Sequence, residues 1–421
     1  MMKVSNFTAA IQSMVRRVVD YLETADIPFG YFILTFLSAV TLRNLFEQLL
    51  PANAIQSNFS SQLFHYYLSY SCIALSLIIL FRMATGESMA RISRVILPSF
   101  IILNIVPLID GIVSIYGRGY TIGYVFPGDP IPLWQRFLTF FGPSGGIGKP
   151  GATPGIRVEI GLVLLASSLY FSIKGLNGKK NLLWCVLLYA LFFFYYVLPC
   201  FIAGFLQIFG ISYHRDVSLL INFHLLLLFF LAFGLAFLGQ RSYWLALMRD
   251  SRILRVLHYE LMFFIGLALA ARLGDSQVDW DQQRLFAIVF VVIAILSACF
   301  FSLMTNNLAD LTIDAISSPD RPSVSGAIPL AQYRRMPWFF LGGAFLYSWM
   351  ADFSAFFTMA AFVSAYYLYS MPPLRLKRIP VLSKLCIVFN SLLLIALGFY
   401  LEGGTNLRWV LADSATRFFF I

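Results

Sequence analysis

The chain has 421 residues, 59% of them hydrophobic and only 12% charged, with a mean hydropathy of +0.79. A soluble domain carries about 25% charged residues, so a set of soluble domains is excluded, as are a disordered chain and a disulfide scaffold, since Cys72, Cys185, Cys200, Cys299 and Cys386 mostly sit inside apolar runs. The net charge of +10 is spread between apolar segments, which argues against nucleic acid as a partner and for loops facing an anionic membrane surface.

In chain order, residues 1–27 hold Lys3, Arg16, Arg17, Asp20, Glu23 and Asp26 and lack the apolar core of a signal peptide. Val15, Val18, Val19 and Leu22 recur at helical spacing, which predicts a helix on the membrane surface. A bilayer-crossing helix needs about 20 apolar residues. Eleven runs qualify, two of them short: 28–48, 62–81, 95–115, 157–173, 181–208, 217–238, 257–273, 285–304, 337–350, 353–370 and 385–401. Arg43 and Glu47 interrupt the first, so a re-entrant or interfacial helix is an alternative there. The fold class is therefore all-α, a polytopic transmembrane bundle of about eleven helices. With the N-terminus inside, 20 of the 30 Lys and Arg residues fall on cytoplasmic segments, and this bias predicts a cytoplasmic N-terminus.

Two parts are expected. Residues 1–240 hold six spans and a Gly- and Pro-rich external loop, about 116–156; a basic connector with Arg241, Arg249, Arg252 and Arg255 leads into the second part, 252–421. Within the loop, Gly145-Gly146-Ile147-Gly148-Lys149 departs from a phosphate loop, because Pro143 replaces the first glycine and Pro150 follows the lysine. His65, His214, His224 and His258 make no zinc pattern. Asp110, Glu159 and Asp216 lie near external span ends; interfacial placement is expected, with a second site as the alternative. Residues 1–240 receive no function from the sequence.

The chemistry-bearing segment follows the eighth run. Asn306, Asp310 and Asp314 are spaced four and four. On a continuous helix they share one face, each about 40° from the last. A carboxylate at membrane depth costs roughly 2.5–3.5 kcal/mol, and a bound cation relieves it. Oxygen ligands suit Mg²⁺, which takes one or two carboxylates with water and substrate phosphate. Arg321 follows, and two spans later comes Tyr369-Ser370-Met371-Pro372-Pro373-Leu374-Arg375-Leu376-Lys377-Arg378, back on the same membrane side. Acids for a metal and bases for phosphate would then meet at one mouth. The plainer alternatives are that Asp310 and Asp314 end a helix and pair with Arg321, and that the later bases form a positive-inside cluster.

Over about residues 252–401 these segments resemble the UbiA superfamily of intramembrane prenyltransferases. Asn306, Asp310 and Asp314, then Arg321-Pro322 and Ser325-Gly326-Ala327-Ile328, are similar to its first motif; Tyr369 to Arg378 is similar to its later Tyr-Ser-x-Pro-Pro-Leu-Arg stretch. The resemblance implies Mg²⁺ on Asp310 and Asp314, a prenyl diphosphate donor held by Asn306, Lys377 and, less centrally, Arg321 and Arg375, Tyr369 beside the reacting carbon, and transfer to a lipophilic acceptor. Two departures stand out. Asn307 replaces the Asp that usually follows the motif Asn, and the second Asp-rich motif is missing, Asp413 standing alone near Phe418-Phe419-Phe420-Ile421. A fragment of a longer protein or a degenerate module is therefore expected. The alternative functions are a non-catalytic or transport protein built on a decayed module, and a relative that moves a sugar phosphate onto a polyprenyl phosphate.

Overall fold

A computed structural model describes residues 2–49, 59–114, 124–141, 152–214, 217–273 and 281–402. The segments Gly145–Lys149 and Leu407–Ile421, with Asp216 and Asp413, lie outside the described residues. The chain divides into two compact units, Met1–Gly239 and Gln240–Ile421. The first contains α1 (Met2–Thr24), α2 (Phe29–Leu49), α3 (Phe59–Thr85), α4 (Met89–Ser99), a 3₁₀ turn (Phe100–Asn104), α5 (Ile105–Ser114), α6 (Leu133–Leu138), α7 (Pro154–Ile173), α8 (Gly178–Tyr196), α9 (Leu198–Ile208) and α10 (Val217–Gly239). The second contains α11 (Arg241–Asp250), α12 (Ile253–Leu273), α13 (Gln282–Ala309), α14 (Leu311–Ser317), α15 (Leu330–Tyr333), α16 (Met336–Ala351), α17 (Phe353–Ser370) and α18 (Pro380–Leu401). No strand occurs among the described residues.

Among those residues, eight helical stretches are long and apolar enough to cross a membrane, or nine if α8 and α9, bent by 67° at their junction, are one span. The protein is an all-α polytopic membrane bundle. Runs 337–350 and 353–370 form α16 and α17, of 16 and 18 residues, about 24 and 27 Å at 1.5 Å per residue, short of a hydrocarbon core of about 30 Å. Length and composition alone therefore give fewer spans than the eleven expected, although the described residues of all eleven runs are almost wholly helical.

In the first unit, Val15, Val19 and Leu22 of α1 pack onto the helical core, while Val18 stays exposed. Arg43 and Glu47 do not break α2, because both turn into the bundle, 3% and 7% exposed, and pair at 3.4 Å. A second bond has a local cause. Pro107 has no N–H to give the carbonyl of Leu103, four residues earlier, and Arg43 Nη1 donates to that oxygen at 3.1 Å.

In the second unit, α13 is buried around most of its circumference, the expected pattern for a central helix. Helices α12 and α18 cross at Gly266 and Gly398. A Cβ on Gly266 would lie 2.1 Å from the carbonyl oxygen of Ile395, and one on Gly398 would lie 2.1 Å from that of Phe263. Small residues let backbones approach this closely within a membrane.

Candidate functional site

Helix α13 stops at Ala309, because Asp310 leaves helical geometry (φ −106°, ψ 10°) before α14 begins. The continuous stripe expected for Asn306, Asp310 and Asp314 is therefore interrupted at its middle member, and the three side chains serve two clusters.

The first cluster joins the two sequence segments. Lys377 Nζ donates to Asn306 Oδ1 at 2.8 Å and also pairs with Asp310 Oδ2. Arg375 pairs with Asp310 Oδ1 and donates to the carbonyl of Ala309 at 3.2 Å, closing the end of α13. Arg375 itself has a left-handed backbone, φ 42°, uncommon for a residue with a Cβ. Ser370 Oγ donates to Asn306 Oδ1 at 3.2 Å.

The second cluster centres on Asn307, which is fully buried. Its amide Nδ2 donates to Asp250 Oδ2 at 2.6 Å and to the Tyr333 hydroxyl at 3.0 Å. Its Oδ1 accepts from Arg321 at 3.0 Å, and Arg321 also pairs with the buried Asp314. An aspartate at 307 has no proton for Asp250 at neutral pH, so the amide suits this network. Thus Asp314 does pair with Arg321, while Asp310 is held by the later segment.

Beside Asn306 lies a narrow hollow that opens to the outside of the unit. Tyr259, Cys299, Asn306, Tyr366, Tyr369 and Ser370 line it, together with Arg252 and Arg255. The Tyr259 and Tyr366 hydroxyls share a hydrogen bond in its wall. Asp310 and Asp314 are not among the lining residues; they are linked to the hollow through Asn306 and its neighbour Asn307. Of the expected site residues, Asn306, Asp310, Arg375 and Lys377 come together, Tyr369 faces the same hollow, and Asp314 with Arg321 forms the separate pair.

Asp250, Arg252 and Arg255 were not selected by motif. Arg252 and Arg255 flank the start of α12, where the helix dipole disfavours cations; that mismatch is the signal a sequence reading could have used. Neither guanidinium has a side-chain hydrogen bond or ion pair among the described residues. Partial burial, reinforced by the charges of Arg255 and Arg321, pulls the Arg252 pKa below its ordinary value.

Residues 261–421 match the UbiA prenyltransferase family. No curated protein and no solved structure matches the chain. The UbiA match begins after Asp250, Arg252 and Arg255, and it includes both segments that Lys377 ties together.

The donor set can be tested against a metal. Among the described residues no three His, Cys, Asp or Glu side chains gather as a metal cage. Mg²⁺ does not require one, since it binds through one or two carboxylates with water and substrate phosphates. Asp314 is bonded through Oδ2, with no bond at Oδ1 among the described residues. Both oxygens of Asp310 already have a basic partner, but each keeps a further lone pair. The hard-oxygen chemistry of this set fits Mg²⁺ carried in with a diphosphate.

Proposed function

We propose that the C-terminal unit transfers a polyprenyl group from a prenyl diphosphate to a lipophilic acceptor with Mg²⁺. The observation that carries the reading is Lys377 on both Asn306 and Asp310, which joins a carboxylate-amide segment to a basic segment beside a hollow with aromatic residues in its wall. Asp310 and Asp314 would hold the metal. Bound there, Mg²⁺ would supply charge stabilisation as the diphosphate leaves. Lys377 and Arg375, positioned by Asp310 and Asn306, would offer cationic groups to the phosphate oxygens; Arg321 supports Asp314; Asn306 offers an amide to the diphosphate. Arg252 and Arg255 add two unpaired guanidiniums at the same hollow, suited to bidentate phosphate contact. Tyr259, Tyr366 and Tyr369 give rings that exclude water and shelter an allylic cation.

The Lys and Arg distribution further supports a cytoplasmic N-terminus and cytoplasmic motif loops. Residues 1–240 are assigned no part in this reaction.

The test is direct. Purified full-length protein with Mg²⁺ and geranylgeranyl diphosphate is expected to release diphosphate, and a chelator is expected to stop it. Asp310→Ala and Asp314→Ala should each lower turnover by at least about 100-fold, the scale seen when a group stabilising developing charge is removed. Full turnover by either variant discards the metal assignment.

A further inference from the structure

The first unit holds a larger hollow, with about 1280 Å³ of empty space. It is formed where α2 ends, α3 and α7 begin and α8 ends, so it lies toward one end of the helical bundle. Its walls include five tyrosines, Tyr66, Tyr70, Tyr124, Tyr195 and Tyr196, and the carboxylate of Glu159.

The charges around it do not balance locally. Arg43 lines the hollow, with Nη1 on the carbonyl of Leu103 and Nη2 on Glu47, which leaves only its Nε without a partner among the described residues. Asp110 is occupied as well, since Thr153 Oγ1 donates to it at 2.5 Å and the Gly155 N–H at 2.8 Å, closing the start of α7. His65 is bonded through Nε2 to the Tyr124 hydroxyl at 2.7 Å, and His224, 5.0 Å away between ring centres, donates Nδ1 to the carbonyl of Leu220. Glu159 alone of these acids has no hydrogen bond or contact ion pair among the described residues. An ionised carboxylate facing a greasy cavity is costly, and aromatic faces around a carboxylate form a cage for an ammonium or similar cation.

We infer that this hollow is a binding site for an amphipathic organic monocation, with Glu159 as its counter-ion and the tyrosine rings as its cage. One unpaired carboxylate sets the single charge. The apolar walls, Ile73, Leu77, Phe100 and Ile160 among them, set the apolar body. An anionic occupant is disfavoured because it would face Glu159 while Arg43 already has a carboxylate partner. The site does not depend on the prenyl-transfer reading.

Equilibrium binding of radiolabelled tetraphenylphosphonium and tetraethylammonium to the purified full chain tests it. Saturable binding of at least one of them is expected, at one per chain, not displaced by geranylgeranyl diphosphate, and weakened at least about tenfold by Glu159→Gln. Glu159→Asp keeps the charge and should bind within a few-fold of the wild type. If Glu159→Gln does not fold, Tyr70→Leu decides, because it removes a cage ring and leaves the carboxylate; weaker binding supports the site. No saturable binding of either cation, unchanged affinity in the folded Glu159→Gln or in Tyr70→Leu, displacement by the prenyl diphosphate, or tighter binding of tetraphenylborate overturns the inference.

Discussion

Asn306 and Asn307 are consecutive on α13 and serve opposite clusters, one facing Lys377 and the other facing Asp250. An Asp at the second position would set a carboxylate against Asp250 and remove a donor. Asn307→Asp is therefore expected to destabilise the protein by about 1–3 kcal/mol, the cost of an unsatisfied buried polar pair. Thermal unfolding in detergent reads this, and a variant melting at or above the wild type contradicts it. The spacing of Asn306 and Asp310 and the later Lys377 were legible as chemistry because acids in an apolar context stand out. The break at Asp310 was not, since an i, i+4 pattern looks the same on an intact helix as on one that stops there. Asp250, Arg252 and Arg255 were hidden for a different reason. They lie more than fifty residues before the motif, in a stretch whose positive charge already had an explanation as a cytoplasmic connector.

At the scale of elements, the crossing of α12 and α18 depends on the absence of two side chains. Gly266→Leu would drive carbon into the carbonyl of Ile395, and overpacking of this kind costs about 1–3 kcal/mol or more. A lower midpoint in denaturant titration is expected, with prenyl transfer falling alongside it because α12 carries Arg255. Nothing in the hydropathy of these runs announced the contact, since apolar helices present many glycines that touch nothing. In the first unit, Lys174 ties α1 to the turn before α4, donating to Glu23 at 2.8 Å and to Glu87 at 3.0 Å. The hydrogen bond from Lys174 holds the Glu87 carboxyl below its ordinary range. Burial works against the Lys174 ammonium, yet its bonds to Glu23 and Glu87 raise its pKa overall. A carboxyl depressed by folding gives stability that is present above its unfolded pKa, about 4.3, and is lost as pH falls through the lower folded value. Melting temperature should therefore fall below about pH 4, and Lys174→Gln should flatten that fall. A Lys174→Gln profile parallel to the wild type would show that this tie plays no part.

For the whole molecule, an all-α membrane bundle was readable from composition and run length. The number of crossings was less so, because α16 is too short and α17 not apolar enough to qualify by length and composition alone, and α8 bends into α9. Topology is the measurement that resolves the count. A reporter fused after Lys180 is expected on the cytoplasmic side, and a signal from the opposite side would reverse the orientation drawn from the Lys and Arg bias.

The rim of the second unit also has a consequence for the order in which ligands arrive. Three carboxylates, Asp250, Asp310 and Asp314, are set among five cations, Arg252, Arg255, Arg321, Arg375 and Lys377. The mouth is thus electropositive despite its acidic signature. Free magnesium should meet repulsion there, whereas an anionic headgroup should be drawn in and bring its metal along. In calorimetry, titrating the salt alone should give a flat trace, and heat should appear only once pyrophosphate is in the cell.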